Sequence, residues 1–163
     1  VAERETIKEP EDQMFNKKLS LAIHLHLYYL DMWQQIKQYL TNIDDYPYHL
    51  FVTMNVKDDK TINEIKQFHP QTTVYIVENK GYDVGPFVYF LNRIDLSKYD
   101  LILKIHTKNS KTGSNTLLNH RYISRKYWFL LLVEALIGSK TIFCRNIDAF
   151  QKNATLGMIG SRY

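Results

Sequence analysis

The sequence holds a single cysteine, Cys144, in 163 residues. That excludes an internal disulfide framework and fits a reducing compartment. No apolar run is long enough to cross a bilayer: Tyr127 to Ile137 is too short and carries Glu134. The N-terminus lacks the basic-then-apolar order of a secretory signal. Also missing are a Walker loop, a Gly-x-Ser-x-Gly elbow, a Cys/His zinc spacing, and any zinc-finger, basic-zipper or RNA-recognition pattern. The lone cysteine points to the cytoplasm and reads as a small core residue. The chain begins at Val1 and its last apolar stretch has almost nothing after it, which reads as a piece of a longer protein.

What is present suits one soluble domain. Hydrophobic residues make up 45% and mean hydropathy is −0.34, enough apolar material for a real core. The net charge of +4 and pI near 9.0 are mild. They suit a phosphate-bearing ligand or contact with an anionic membrane face, and they require neither. Lys and Arg do not gather in one run, so nucleic acid is not expected as a partner. Tyrosine is abundant, at 12 residues. Such rings can stack on bases or sugars, though most serve core or rim.

Along the chain, residues 1–18 are polar and aperiodic, a lead-in or linker, and 19–163 form the domain. Leu19 to Tyr28 reads as a buried strand. Asp31 and Gln34 have capping-box spacing before a helix through Trp33, Ile36, Leu40 and Ile43. Tyr48 to Asn55 is a second strand; Thr61 and Glu64 suggest a capping box for a helix that Pro70 stops. Thr72 to Val77 is a third strand, rich in β-branched residues. Gly85-Pro86 opens a helix, with proline tolerated in the first turn. Leu101 to Ile105 is a fourth strand, followed by a polar loop, a helix through Trp128 to Ile137 ending at Gly138, and a final strand at Leu156 to Gly160. Strands alternating with helices predict an α/β fold: an open, mostly parallel, Rossmann-like sheet with helices on both faces. No G-x-G-x-x-G follows the first strand, which argues against ordinary NAD binding.

Two clusters carry chemistry. In Asn79-Lys-Gly-Tyr-Asp-Val-Gly-Pro-Phe87, Gly81 and Gly85 allow sharp turning and close approach to a ligand. The helix that follows offers free N–H groups and a positive dipole end to a phosphate. Asp83 would repel that phosphate but suits a sugar hydroxyl; the plainer reading makes it a helix cap. In Tyr99-Asp-Leu-Ile-Leu-Lys-Ile-His-Thr-Lys-Asn-Ser110, a strand ends on His106, Thr107 and Lys108. These bring a general base or donor, a hydroxyl and a cation to one place, or else form a solvated strand end with Lys111. His24 and His26 share one face of their strand. With no third ligand near, His24 reads as a structural histidine; His26, nearer the strand's end, is the better site candidate.

At these residues the chain resembles the rhamnan synthesis protein F group of bacterial polysaccharide-building glycosyltransferases. The matching segments are Ile23-His-Leu-His-Leu-Tyr-Tyr29, His49-Leu-Phe-Val-Thr53, Asn79 to Phe87 and Tyr99 to Ser110, in order, over most of Leu19 to Gly160. The last two are specific; the first two would be weak alone. The resemblance implies a GT-A-type nucleotide-sugar fold, truncated here at its C-terminal part. It implies transfer of a deoxysugar such as rhamnose, from a dTDP-rhamnose-like donor onto a lipopolysaccharide or cell-wall polysaccharide acceptor. By that likeness His26, Tyr28 and Thr53 hold the nucleotide, and Asn79, Gly81 and Asp83 lie under the donor. Where such enzymes carry a metal-binding Asp-x-Asp, this chain has His106-Thr107-Lys108. Two carboxylates that Mg or Mn would want are therefore missing, and the expectation is a metal-independent site with no certain cofactor beyond the donor itself.

In that site Lys108, with Lys111 or Arg121, would stabilise the departing nucleoside diphosphate, with Thr107 and Ser110 beside it. Asp83 or His106 would deprotonate the acceptor hydroxyl, as an inverting transfer needs. The acceptor is expected to be a glycan or lipid-linked glycan, met in the cytoplasm or in peripheral contact with the inner membrane face. The alternative is a non-catalytic module that recognises a nucleotide sugar or glycan within a larger assembly.

Overall fold

The computed structural model describes residues 18–108, 115–118 and 121–161. Four strands, β1 (Leu21–His26), β2 (Tyr48–Met54), β3 (Thr73–Ile76) and β4 (Leu101–His106), form one sheet in the order β3-β2-β1-β4. Every pairing in it is parallel. All six residues of β1 are buried, as a central strand covered on both faces must be. A separate antiparallel hairpin, β5 (Asn115–Leu118) with β6 (Arg121–Ser124), occupies sequence that reads as polar loop.

Alternation along the strands divides the core in two. Leu21, Ile23 and Leu25 of β1, with Leu50, Val52 and Met54 of β2, face one side. They pack against Trp33, Ile36 and Leu40 of α1 (Trp33–Thr41) and Ile65 of α2 (Asp59–Phe68). The same cluster takes in Phe129, Val133 and Ile137 of α4 (Arg125–Ile137) and Phe143 and Ile147 of α5 (Lys140–Lys152). On the other side Ala22 and Phe51 meet Phe90 of α3 (Val84–Leu91). Helices thus cover both faces of an open sheet, an α/β fold of Rossmann-like form. From β1 to β3 the sheet grows in one direction through α1 and α2; α3 then carries the chain back to β4 beside β1. The strand order therefore reverses between β1 and β4.

Several local expectations are corrected. Asp31 lies inside a short 3-10 turn, Leu30–Met32, and α1 begins after Met32 without a side-chain cap. Gln34 instead donates from Nε2 to Glu64 Oε2 of α2 at 2.9 Å. The cap of α2 is Asp58, whose Oδ2 accepts from Thr61 N–H at 2.8 Å. Thr61 is thus the residue capped, because aspartate one turn earlier is the stronger acceptor. Ser139, accepting from Ile142 N–H, starts the unanticipated α5. Leu156 to Gly160 is not a strand. Two glycines in that stretch weaken any ladder, and Gly157, Met158 and Ile159 instead line a groove of about 460 Å³ with Leu101 to Leu103 and Phe143. The lead-in, apart from Lys18, lies outside the described residues.

Candidate functional site

Open α/β sheets bind ligands beyond the carboxyl ends of their strands, where the strand order reverses. Here that point lies between β1 and β4, and the register there pairs His26 with His106. One step deeper, His24 pairs with Lys104. Across β1's other edge, His24 stands beside Phe51 and His26 beside Thr53. Side chains in register point the same way in a parallel sheet, so His24, Lys104, His26, His106 and Thr53 form a polar block on the α3 face. Phe87 and Phe90 floor it: His24 stacks on Phe90 with centroids 4.7 Å apart, and Lys104 Nζ sits 5.5 Å from the Phe87 ring.

The loop from Asn79 to Asp83 closes the block. Gly81 has φ 75°, a left-handed conformation that glycine adopts freely, and its carbonyl accepts from the N–H groups of Val84 at 3.1 Å and Gly85 at 3.0 Å. A Cβ on Gly85 would lie 1.9 Å from the Lys80 carbonyl oxygen, so only glycine fits. Pro86 has no N–H. The first turn of α3 therefore has fewer N–H groups to offer a phosphate than the sequence suggests, since those of Val84 and Gly85 are taken and Pro86 has none. Asp83 stands at the N-cap position but makes no cap bond. Its Oδ2 pairs with Lys104 Nζ and lies 3.7 Å from His106 Nδ1. Tyr82, beside it, has φ 53° and is 89% exposed. A non-glycine residue there costs roughly 1–2 kcal/mol, and such strain gathers at functional sites.

Electrostatics follow from burial. Desolvation, with the neighbouring His26 and Lys104 charges, pulls His24 down to about 3. Desolvation also lowers His26, helped by His106, and lowers His106 despite Asp83, with Lys104 and Lys108 acting in the same direction. Burial alone would raise Asp83, but Lys104 and His106 outweigh it and hold the carboxyl below its usual range. At neutral pH the block is three neutral imidazoles around one ion pair. His106 can accept a proton there, with Asp83 beside its Nδ1 to steady the imidazolium.

Of the residues singled out in the sequence, Asp83, His106 and His26 meet at this edge, with Lys108 exposed one residue past Thr107. Thr53 is fully buried, and its Oγ1 lies 3.0 Å from His24 Nε2 and 3.1 Å from His26 Nδ1. Thr107 is buried too; its Oγ1 accepts from the N–H groups of Tyr28 and Tyr29, each at 3.0 Å, and pins the turn after β1. Asn79 Nδ2 donates to the Tyr28 hydroxyl at 3.4 Å, which joins the two loops that flank the block. Ser110 and Lys111 lie outside the described residues, and Arg121 enters only through the backbone of β6. Lys104 went unnoticed in the sequence. Its signal was a lysine in the middle of an apolar strand, in phase with His106.

The donor set does not fit a hard divalent cation, which takes six or more oxygen ligands. Asp83 is bound by Lys104, and among the described residues no group of three or more His, Cys, Asp or Glu side chains could hold a metal. A cleft of about 660 Å³ lies at the opposite edge, lined by Ser20, Tyr48, His49 and Tyr99. None of the site residues above lines it, and the charge cluster marks the carboxyl edge instead.

No helix among the described residues is long and apolar enough to cross a membrane. A family model described as rhamnan synthesis protein F matches residues 1–162, and the chain belongs to that family. Membership ties it to rhamnan synthesis, and so to polysaccharide biosynthesis. Comparison with curated proteins and with solved structures gave no match.

Proposed function

We propose that the carboxyl edge between β1 and β4 is the donor site of a GT-A-type glycosyltransferase. It moves a deoxysugar such as rhamnose from a nucleoside-diphosphate donor to a polysaccharide or lipopolysaccharide acceptor. The observation that carries this reading is the Asp83, Lys104 and His106 cluster at the reversal point of the sheet, in a chain of a rhamnan synthesis family. Lys108 stabilises the departing diphosphate, a cation doing what a metal does elsewhere. His106 takes the acceptor proton, because Asp83 is committed to Lys104 and its lowered basicity suits it to steadying an imidazolium. Tyr82 offers an exposed ring to the nucleobase.

Calorimetry with dTDP, UDP, GDP and dTDP-rhamnose, in EDTA and then with Mn, tests the site. Selective binding in EDTA is expected, weakened about tenfold in Lys108→Ala, near the loss of one charged hydrogen bond. Absence of binding under both conditions refutes the donor site; a strict need for Mn refutes the cation's role. Binding by the full-length protein without turnover of the nucleotide sugar would make this a recognition module instead.

A further inference from the structure

We infer that Thr53 relays a fixed tautomer from His24 to His26, so that His26 presents Nε2–H at the strand edge as a donor to an anionic phosphate oxygen. The identity of that anion rests on the proposed donor site; the tautomer does not. Thr53 Oγ1 lies within hydrogen-bond distance of His24 Nε2 and His26 Nδ1, at 3.0 and 3.1 Å, and all three residues are buried. A hydroxyl has one proton to give, and three arrangements are open.

If both rings donate to Thr53, its O–H is left in the core with nothing to receive it. If His26 donates and Thr53 passes its proton to His24 Nε2, the proton of His24 moves to Nδ1, which is buried and has no partner. If His24 Nε2–H donates to Thr53 and Thr53 O–H donates to His26 Nδ1, every N–H and O–H of the trio is spent or faces outward. The one group left over is the His24 Nδ1 lone pair, at an atom that stays unpartnered in any arrangement. A buried orphan donor is the rarer and costlier defect. The third arrangement therefore holds, and it needs His24 neutral, as its burial makes it. The Thr53 carbonyl also lies near His26 and favours its charged form, but a His26 Nδ1–H turned toward it would again leave either the Thr53 O–H or a His24 Nδ1–H in the core with nothing to receive it.

His26 Nε2 consequently carries the remaining proton. It bonds to no described residue and is not among the buried unpartnered atoms, so it keeps contact with solvent. Next to it stands His106, and beyond that Lys108, the cation assigned to the diphosphate. A neutral N–H adds an oriented donor at that position without adding charge.

Nitrogen-15 NMR of the imidazoles reads this directly. Both His24 and His26 are expected to be protonated at Nε2 and bare at Nδ1, and added inorganic pyrophosphate or dTDP should shift His26 Nε2. In Thr53→Val, His26 should become a mixture of tautomers and bind dTDP three- to tenfold more weakly. Thr53→Ser, which keeps the hydroxyl, should restore both and controls for loss of fold. A His26 protonated at Nδ1 in the unmodified chain overturns the inference. So does dTDP binding that leaves His26 Nε2 unmoved, although the donor site would then stand. A shift with pyrophosphate but not with any nucleotide upholds the inference and refutes the nucleotide reading.

Discussion

Lys104→Met tests the centre of the site, because it deletes a charge while keeping the length of the side chain. Lys104 and Asp83 each keep 30% of their side-chain surface exposed, so the pair is neither a surface bridge nor a fully buried one. Exposed pairs contribute about 0–1 kcal/mol, whereas orphaning one partner of a buried pair costs about 3–5 kcal/mol. With nearly a third of the surface open to water, a loss of about 1–2 kcal/mol is expected, a fall of roughly 0.5–1 M in the urea midpoint. Asp83→Asn should cost a similar amount. The double variant should cost no more than either single one, leaving a coupling of about 1–2 kcal/mol. His106 supplies a second readout. Lys104 depresses its basicity and Asp83 raises it; removing the lysine takes away the first influence and frees the carboxylate to strengthen the second. The His106 titration midpoint, followed by NMR, should therefore move upward. Additive single effects together with an unmoved His106 would refute the pairing and the base assignment that depends on it.

Acid should destabilise the fold well above the carboxylate range. His24, His26 and His106 all bind protons less readily folded than unfolded. Stability is then full above about 6.5 and falls as pH drops toward their folded values, which for His24 is about 3. Each such histidine contributes up to about 1.4 kcal/mol per pH unit, and Asp83, with its lowered value, adds a further loss in the same direction at lower pH. Urea melts between pH 7 and 4 measure this; a flat profile would contradict the buried neutral imidazoles. Gly85→Ala should cost about 1–3 kcal/mol by driving a methyl into the Lys80 carbonyl, and calorimetric unfolding at or above the unmodified midpoint would disprove that contact. Trp33→Ala should cost about 3–5 kcal/mol as a buried aromatic truncation, with the nucleotide affinity of the folded fraction unchanged.

The centre of the sheet was legible in the sequence because β1, and β2 from Leu50 onward, are buried on both faces. Leu21 to His26, Tyr48 to Met54 and Leu101 to His106 read as apolar runs, and the expected bounds differ by one or two residues. Errors gathered where a local rule had two solutions. Asp58 and Thr61 both begin a capping spacing, and the structure uses the aspartate. The helix from Lys140 was signalled by Ser139 and by Phe143, Ile147 and Phe150 on one face, a pattern masked by the Gly138 stop just before it. At the other extreme, Leu156 to Ile159 is apolar enough for a strand, yet it forms none and only borders a groove that β4 also lines. Hydrophobicity alone does not record what a backbone pairs with, nor whether the segment is covered: Met158 is 84% exposed.

Asp83 shows why the site was harder to read than the sheet. By local preference, an aspartate just before a helix spends its carboxylate on the first N–H groups. In this chain those groups are already accounted for, since Gly81 turns its carbonyl toward Val84 and Gly85 and Pro86 has no N–H. The carboxylate is released for a partner 21 residues along the chain. That partner, Lys104, sits in mid-strand beside the buried, neutral His24 and over the Phe87 ring, where a lone ammonium would be costly. Each feature makes the other tolerable. Gly81 supplies the positive φ, Gly85 the close approach to Lys80, Pro86 the missing donor and Asp83 the countercharge. A lysine inside an apolar strand four residues before a solvent-facing cation is thus itself a signal: it demands a carboxylate from a loop above the sheet, and the Gly-Tyr-Asp-Val-Gly-Pro segment has the backbone to deliver one.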